Sequence, residues 1–233
     1  GHLVLAQALL GVKRPGTSFE LLLHVGTLAA VLVYFRATLW QLVKSVFDSE
    51  AHQSRKMLLF LIIGSIPAGL VGVLLEDFFD RAFSSPLLSS SMLIVTGLIL
   101  LSTKFVRYGT HQITVASSLL IGVGQALAIL PGISRSGSTI AAGILLGVRP
   151  SQAAEFSFLL SIPAVGGAVL LKSRELTSLD PGLAGPYLAG TFVSFALALA
   201  AVYTVLETVK RGRFEYFAYY CFAAGLLGLY LFI

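Results

Sequence analysis

The sequence predicts an all-α polytopic membrane protein built as an inverted-topology repeat, with six transmembrane helices plus one complete and one partial re-entrant helical hairpin. Three observations carry this prediction. Of 233 residues, 56% are hydrophobic and only 12% charged, a balance outside the range of soluble globular domains. The apolar residues fall into runs that approach the length of a bilayer-crossing helix. Two stretches far apart in the chain also resemble each other.

Six runs read as spans: residues 19–35, 57–75, 87–106, 156–171, 187–206 and 214–233. Two further apolar pieces, 115–130 and 137–148, flank the polar stretch PGISRSGST at 131–139. The second piece is too short to cross. A helix-loop-helix hairpin that enters the bilayer and leaves by the same side accounts for both, with its irregular tip inside protein or facing a water-filled cavity.

The repeat sets the arrangement. GHLVLAQALLGVKRPG at the start resembles GSTIAAGILLGVRPSQ from Gly137 onward, with Leu9, Leu10, Gly11 and Val12 matching Leu145, Leu146, Gly147 and Val148. Phe19, Leu22 and Leu23 then answer Phe156, Leu159 and Leu160. Each half reads as a hairpin followed by three spans. Three is odd, so the halves take opposite orientations, as in many transporters. Within a single membrane domain, 1–110 is the first repeat and 111–233 the second. Gly1 aligns with Gly137, so the counterparts of 131–136 and the first hairpin's entering helix are expected upstream of Gly1, and the first repeat is N-terminally incomplete.

Charge gives the orientation. If 36–56 is cytoplasmic, the inside segments collect Arg36, Lys44, Arg55, Lys56, Lys104, Arg107, Arg149, Lys210, Arg211 and Arg213. The outside segments hold Lys13, Arg14, Arg81, Lys172 and Arg174 beside the acidic Glu76, Asp77 and Asp80. This is the positive-inside bias, and it puts the C-terminus outside. The net charge of +5 is scattered between oily segments, which argues for membrane lipid and against nucleic acid. The single Cys221 excludes an intrachain disulfide.

The stretch 131–139 carries the chemistry. Arg135 at membrane depth costs about 2.5–3.5 kcal/mol on an insertion scale and needs a partner. None of the eleven acidic residues lies in this hairpin, so an anionic ligand is the natural one, and a guanidinium forks phosphate bidentately. Gly132 and Gly137 permit close backbone approach, while Ser136, Ser138 and Thr139 lie where a helix start would draw an anion. The bland alternative is that hydroxyls cap a broken helix while Arg135 satisfies free carbonyls at the end of the preceding one. Gly143 and Gly147 read as packing.

His2 aligns with Ser138 of the other hairpin. Inverted hairpins meet near the midplane, which would bring it toward Arg135 as a general acid, base or nucleophile on phosphorus. Glu20 and Glu155 are explained by helix starts, His24 lies on an apolar face, His52 and His111 belong to polar loops, and Trp40 fits an interfacial anchor.

The stretches GVGQALAILPGISRSGSTIAAGILLGV and AAEFSFLLSIPA, with SFELLLHVGTLAAVLVYFR and IIGSIPAGLVG, resemble the bacterial undecaprenyl-diphosphatase family, also called BacA or UppP. The resemblance implies a six-span enzyme with two re-entrant hairpins in the bacterial inner membrane, its active site opening to the outer side. It implies hydrolysis of undecaprenyl diphosphate to undecaprenyl phosphate and inorganic phosphate, which recycles the carrier for cell-wall synthesis and bears on bacitracin resistance. Ser134, Arg135, Ser136 and Thr139 match the family's second motif. Its first motif, an E-x-x-x-E element followed by P-x-S-S-T-G-H, is represented here by Gly1 and His2 alone. The carboxylates expected to hold a divalent cation, Mg2+ or Ca2+, and a serine proposed as nucleophile would lie upstream, so the chain as given is expected to turn over poorly or not at all. A hydroxyl, an imidazole and an activated water all remain open as the attacking group. The competing class is a polyprenyl-phosphate flippase or other anion-coupled transporter, which would use the same arginine on the same headgroup. A homodimer is compatible with all of this.

Overall fold

The computed structural model describes residues 4–5, 17–48, 50–83, 85–107, 109–173, 182 and 184–232. It is helical, and among the described residues the only β contact is an isolated bridge between His111 and Val148. In chain order the helices are α1 (Thr17–Tyr34), α2 (Arg36–Phe47), α3 (His52–Leu74), α4 (Glu76–Phe83) and α5 (Pro86–Ser102), which runs on into a short 3-10 turn (Thr103–Phe105). Then come α6 (Val115–Leu127), α7 (Arg135–Leu145), α8 (Pro150–Leu171), α9 (Ala184–Lys210) and α10 (Tyr216–Phe232).

All six apolar runs form helices. Four are long and apolar enough to cross a membrane: His52–Leu74, Pro86–Phe105, Pro150–Leu171 and Ala184–Lys210. A fifth candidate is the pair Phe19–Tyr34 and Arg36–Phe47, bent by 76° at Phe35. Tyr216–Phe232, at 17 residues, sits at the lower limit of a spanning length. The protein is therefore an all-α, multi-pass membrane protein. Helices also form over 36–47 and 76–83, where the sequence reading placed no element. Both are too short to cross.

The hairpin is visible as geometry. At 1.5 Å per residue, α6 spans about 20 Å and α7 about 17 Å, each well short of the ~30 Å hydrocarbon core. Its two ends are tied to each other: His111 N–H donates to the Gly147 carbonyl at 3.2 Å, and Arg149 N–H to the His111 carbonyl at 3.0 Å. The chain thus enters and leaves beside the same point. Thr114 caps α6, its hydroxyl accepting from Ser117 N–H while the Ser117 hydroxyl accepts from Thr114 N–H. Gly147 closes α7 with φ +76° and Pro150 opens α8. Gly143 packs against Ala153, as read from the sequence, whereas Gly147 is set by backbone conformation.

Packing explains why the hairpin holds its place. Ile121, Ile140, Ile144, Phe156, Leu159 and Leu160 are fully buried, so the core of the molecule is the hairpin and α8. α6 lies along α3, α5 along α10, and α1 along α9. Gly122 meets the Gly64 carbonyl so closely that a Cβ would collide, the small-residue contact that lets helices approach in lipid. Side-chain to backbone bonds join pairs across the bundle: Ser118 Oγ donates to the Phe60 carbonyl at 2.6 Å, and Ser194 Oγ to the Leu23 carbonyl at 2.8 Å. Outward, α6 presents Leu119, Leu120, Val123 and Leu127 as a lipid-facing surface.

Candidate active site

The tip between α6 and α7 is held by one residue of α5. Thr96, fully buried, donates its hydroxyl to the Gly132 carbonyl at 2.9 Å and accepts from Ser134 N–H at 3.0 Å. Gly132 takes φ +98°, and a Cβ there would run into the Ser89 carbonyl oxygen. Conformation and space both require glycine. Ser134 is the N-cap of α7, its hydroxyl accepting from Gly137 N–H at 3.1 Å. Arg135 is therefore the first residue of the helix, at the end where free N–H groups and the dipole favour an anion.

The two sides of this first turn differ. On one, Gly132, Ile133, Ser134, Ser136 and Gly137 line a cavity of about 310 Å³. Leu93 and Leu100 of α5, Val205 of α9, and Phe214, Phe217, Tyr220 and Cys221 at α10 complete its walls. The cavity is polar where the hairpin tip meets it and, Tyr220 apart, apolar elsewhere. On the other side, Arg135 Nη1 donates to the Ser157 carbonyl of α8 at 3.3 Å. Thr139 is fully buried, with its hydroxyl on the Arg135 carbonyl at 2.8 Å and against Ser157 Oγ at 2.5 Å. Ser138 is buried too, and its hydroxyl has no partner among the described residues.

The structure thus brings Gly132, Ser134, Ser136 and Gly137 together at the cavity. Arg135, Ser138 and Thr139 do not line it, and Thr139 ties α7 to α8. His2 lies outside the described residues. Arg135 is half-buried and has no carboxylate partner among the described residues, where the recorded ion pair is Lys210 with Glu207 at the end of α9. A guanidinium carries five N–H donors in a fixed fork, so the bond to Ser157 leaves it able to grip a phosphate. Capping by Ser134 is present as well, but the carbonyl that Arg135 reaches belongs to α8 and not to the end of the preceding helix. No three His, Cys, Asp or Glu side chains converge among the described residues.

The family model described as bacitracin resistance protein BacA matches residues 1–227. The chain belongs to the BacA family. Its relatives include the undecaprenyl-diphosphatase of Syntrophotalea carbinolica, 42% identical over 231 residues, covering 97% of this chain and 88% of the relative. Those of Trichlorobacter lovleyi and Desulfatibacillum aliphaticivorans are 41% and 40% identical, each over 97% of this chain and over 87% and 88% of their own lengths.

Thr96 and Ser157 escaped the sequence reading of this BacA-family chain. The available signal was polarity inside an apolar run, since Thr96 interrupts 87–106 and Ser157 interrupts 156–171. The walls at Phe214, Phe217 and Cys221 left no such trace, because an aromatic facing a cavity and one facing lipid look alike in sequence.

Proposed function

We propose that this BacA-family chain is an undecaprenyl-diphosphate phosphatase. It cleaves the terminal anhydride bond of the lipid diphosphate with water, giving undecaprenyl phosphate and inorganic phosphate and returning the carrier to cell-wall synthesis. The observation that carries the reading is Arg135, set at the start of a buried helix with no carboxylate beside it among the described residues, in a chain 42% identical to an undecaprenyl-diphosphatase.

In this reading the diphosphate is the counter-ion of Arg135. The guanidinium fork and the α7 N-terminus hold it and stabilise charge on the transferred phosphoryl group, while Gly132 and Gly137 let the backbone come close. Ser134 and Ser136 present hydroxyls to the headgroup. Thr139 stands behind them and ties the helix start to α8, while the buried Ser138 hydroxyl stands beside it. Attack on the terminal phosphorus comes from the Ser134 hydroxyl, the His2 imidazole or a water that His2 activates, and the proton passes to the same imidazole when a hydroxyl or water attacks. The apolar walls of the 310 Å³ cavity receive the first part of the isoprenoid chain. A divalent cation, Mg2+ or Ca2+, is part of the proposal through the family resemblance. No step is assigned to it.

The inverted repeat, with 1–110 and 111–233 as its halves, has two supports. α5 with α10 and α1 with α8 pair equivalent helices of the two halves, as a two-fold axis in the membrane plane allows. Leu5, from the counterpart of the α7 hairpin, lies against Gly228 of α10, echoing α7 against α5. We orient the protein in the bacterial inner membrane with 36–56 inside, the active site opening outward and the C-terminus outside. Size measurement in detergent tests whether it assembles as a homodimer.

The deciding experiment supplies a polyprenyl diphosphate to the purified, detergent-solubilised protein in its full-length form and measures released phosphate and lipid monophosphate together. Equal amounts of both are expected. A flippase or transporter releases neither in detergent and shows activity only in sealed vesicles, and that outcome would overturn the phosphatase.

A further inference from the structure

The bend at Phe35 turns α2 by 76° from α1. A span that crosses within the usual tilt of a transmembrane helix, about 20°, leaves a helix bent this far lying near the membrane plane. At 12 residues, α2 is also too short to cross.

Its residues form two apolar faces. Leu42 and Ser45 are buried inward with Phe35, and Leu39 packs with them against the core. The C-terminal end is pinned by Arg55 at the start of α3, whose Nε donates to the Ser45 carbonyl at 2.7 Å. Outward, Trp40, Val43 and Phe47 recur at helical spacing and are 60%, 54% and 87% exposed. A helix with one apolar face on protein needs another apolar medium for the second.

Charge says which medium. Arg36, Lys44, Arg55 and Lys56 are all exposed around this face, against Asp48 and Glu50. Lys44 Nζ stands 5.3 Å over the Trp40 ring, so the cation and the aromatic lie at one level. Trp at the interface with basic residues beside it is the pattern of a helix seated between headgroups and acyl chains.

We propose that α2 is an in-plane membrane anchor whose Trp40, Val43 and Phe47 face enters the headgroup–acyl boundary and whose basic residues gather anionic phospholipid. This does not depend on the phosphatase reading. It assigns a lipid-binding surface outside the hairpin.

Trp40 is the only tryptophan in the sequence, so the unmodified protein reports on itself. It is reconstituted into vesicles in which either phosphatidylcholine or phosphatidylglycerol carries bromine, near the glycerol or near the chain end, and Trp40 fluorescence is measured. Quenching should be strongest from bromine near the glycerol, as for a helix about 5–10 Å into the boundary. Strongest quenching from the chain ends would make α2 part of a span. Absence of quenching from every position would put this face against water, a second copy or another protein. Either result overturns the anchor. At equal content, brominated phosphatidylglycerol should quench more than brominated phosphatidylcholine, and the difference should vanish in R36Q/K44Q. Equal quenching in the unmodified protein would refute the anionic preference.

Discussion

The two sides of the first turn of α7 solve different problems with adjacent residues. Toward α8, Arg135 and Thr139 are bonded to Ser157, and space is filled. Toward α10, Ser134, Ser136 and Gly137 border a cavity, and space is kept. One side holds a positive group, and the other keeps an open volume that this group does not line. A re-entrant hairpin suits both tasks, because it ends inside the molecule and can be gripped from several helices at once.

The sharpest test of this contrast is Arg135. In the full-length form, R135A should lower phosphate release by about 10²–10³-fold, the scale of removing one preorganised stabiliser of transition-state charge. Retention of even about a tenth of the activity would take Arg135 out of the catalytic set, since stabilisation of this kind is worth more than one decade. R135K keeps the charge and loses the fork, and should recover part of the loss.

The tip comes next. G132A meets the Ser89 carbonyl and forces an unfavourable φ, which costs at least about 1–3 kcal/mol. Thermal unfolding in detergent should show a large drop, and an unchanged midpoint would mean that the tip is not clamped as described. T96V keeps the shape and removes both bonds at the tip, a loss of about 1–3 kcal/mol if the partners stay buried. It should depress kcat more than stability, with T96S restoring most of the rate. Failure of that rescue would contradict a hydrogen-bonding role.

Effects shrink away from the tip. T139V removes the tie to Ser157 and should cost about 0.6 kcal/mol, up to about 1.7, as for other polar pairs between membrane helices. Stability should fall further than activity, and the reverse would place Thr139 on the ligand.

What could be read beforehand follows from the same contrast. The hairpin and its polar tip were legible because a polar run between two short apolar pieces has few solutions in a bilayer. Multi-pass topology followed from run lengths. Arg135 stood out because an unmatched charge at that depth demands a partner. The direction each side chain takes around α7 was not legible, since 134 to 139 are all polar or glycine and no apolar stripe marks a face. Nor were Thr96 and Ser157, whose roles exist only once α5 and α8 are folded against the hairpin. Helix α2 was read as part of a cytoplasmic segment because its twelve residues mix basic and apolar types.

The central claim is that Arg135 takes a diphosphate headgroup as its counter-ion. Calorimetric titration of the protein and of R135A with a polyprenyl diphosphate and with the matching uncharged alcohol tests it directly. The account predicts that the diphosphate loses at least about tenfold in affinity in R135A, about 1.4 kcal/mol, while the alcohol binds both alike. Equal diphosphate affinity in the two proteins would contradict it.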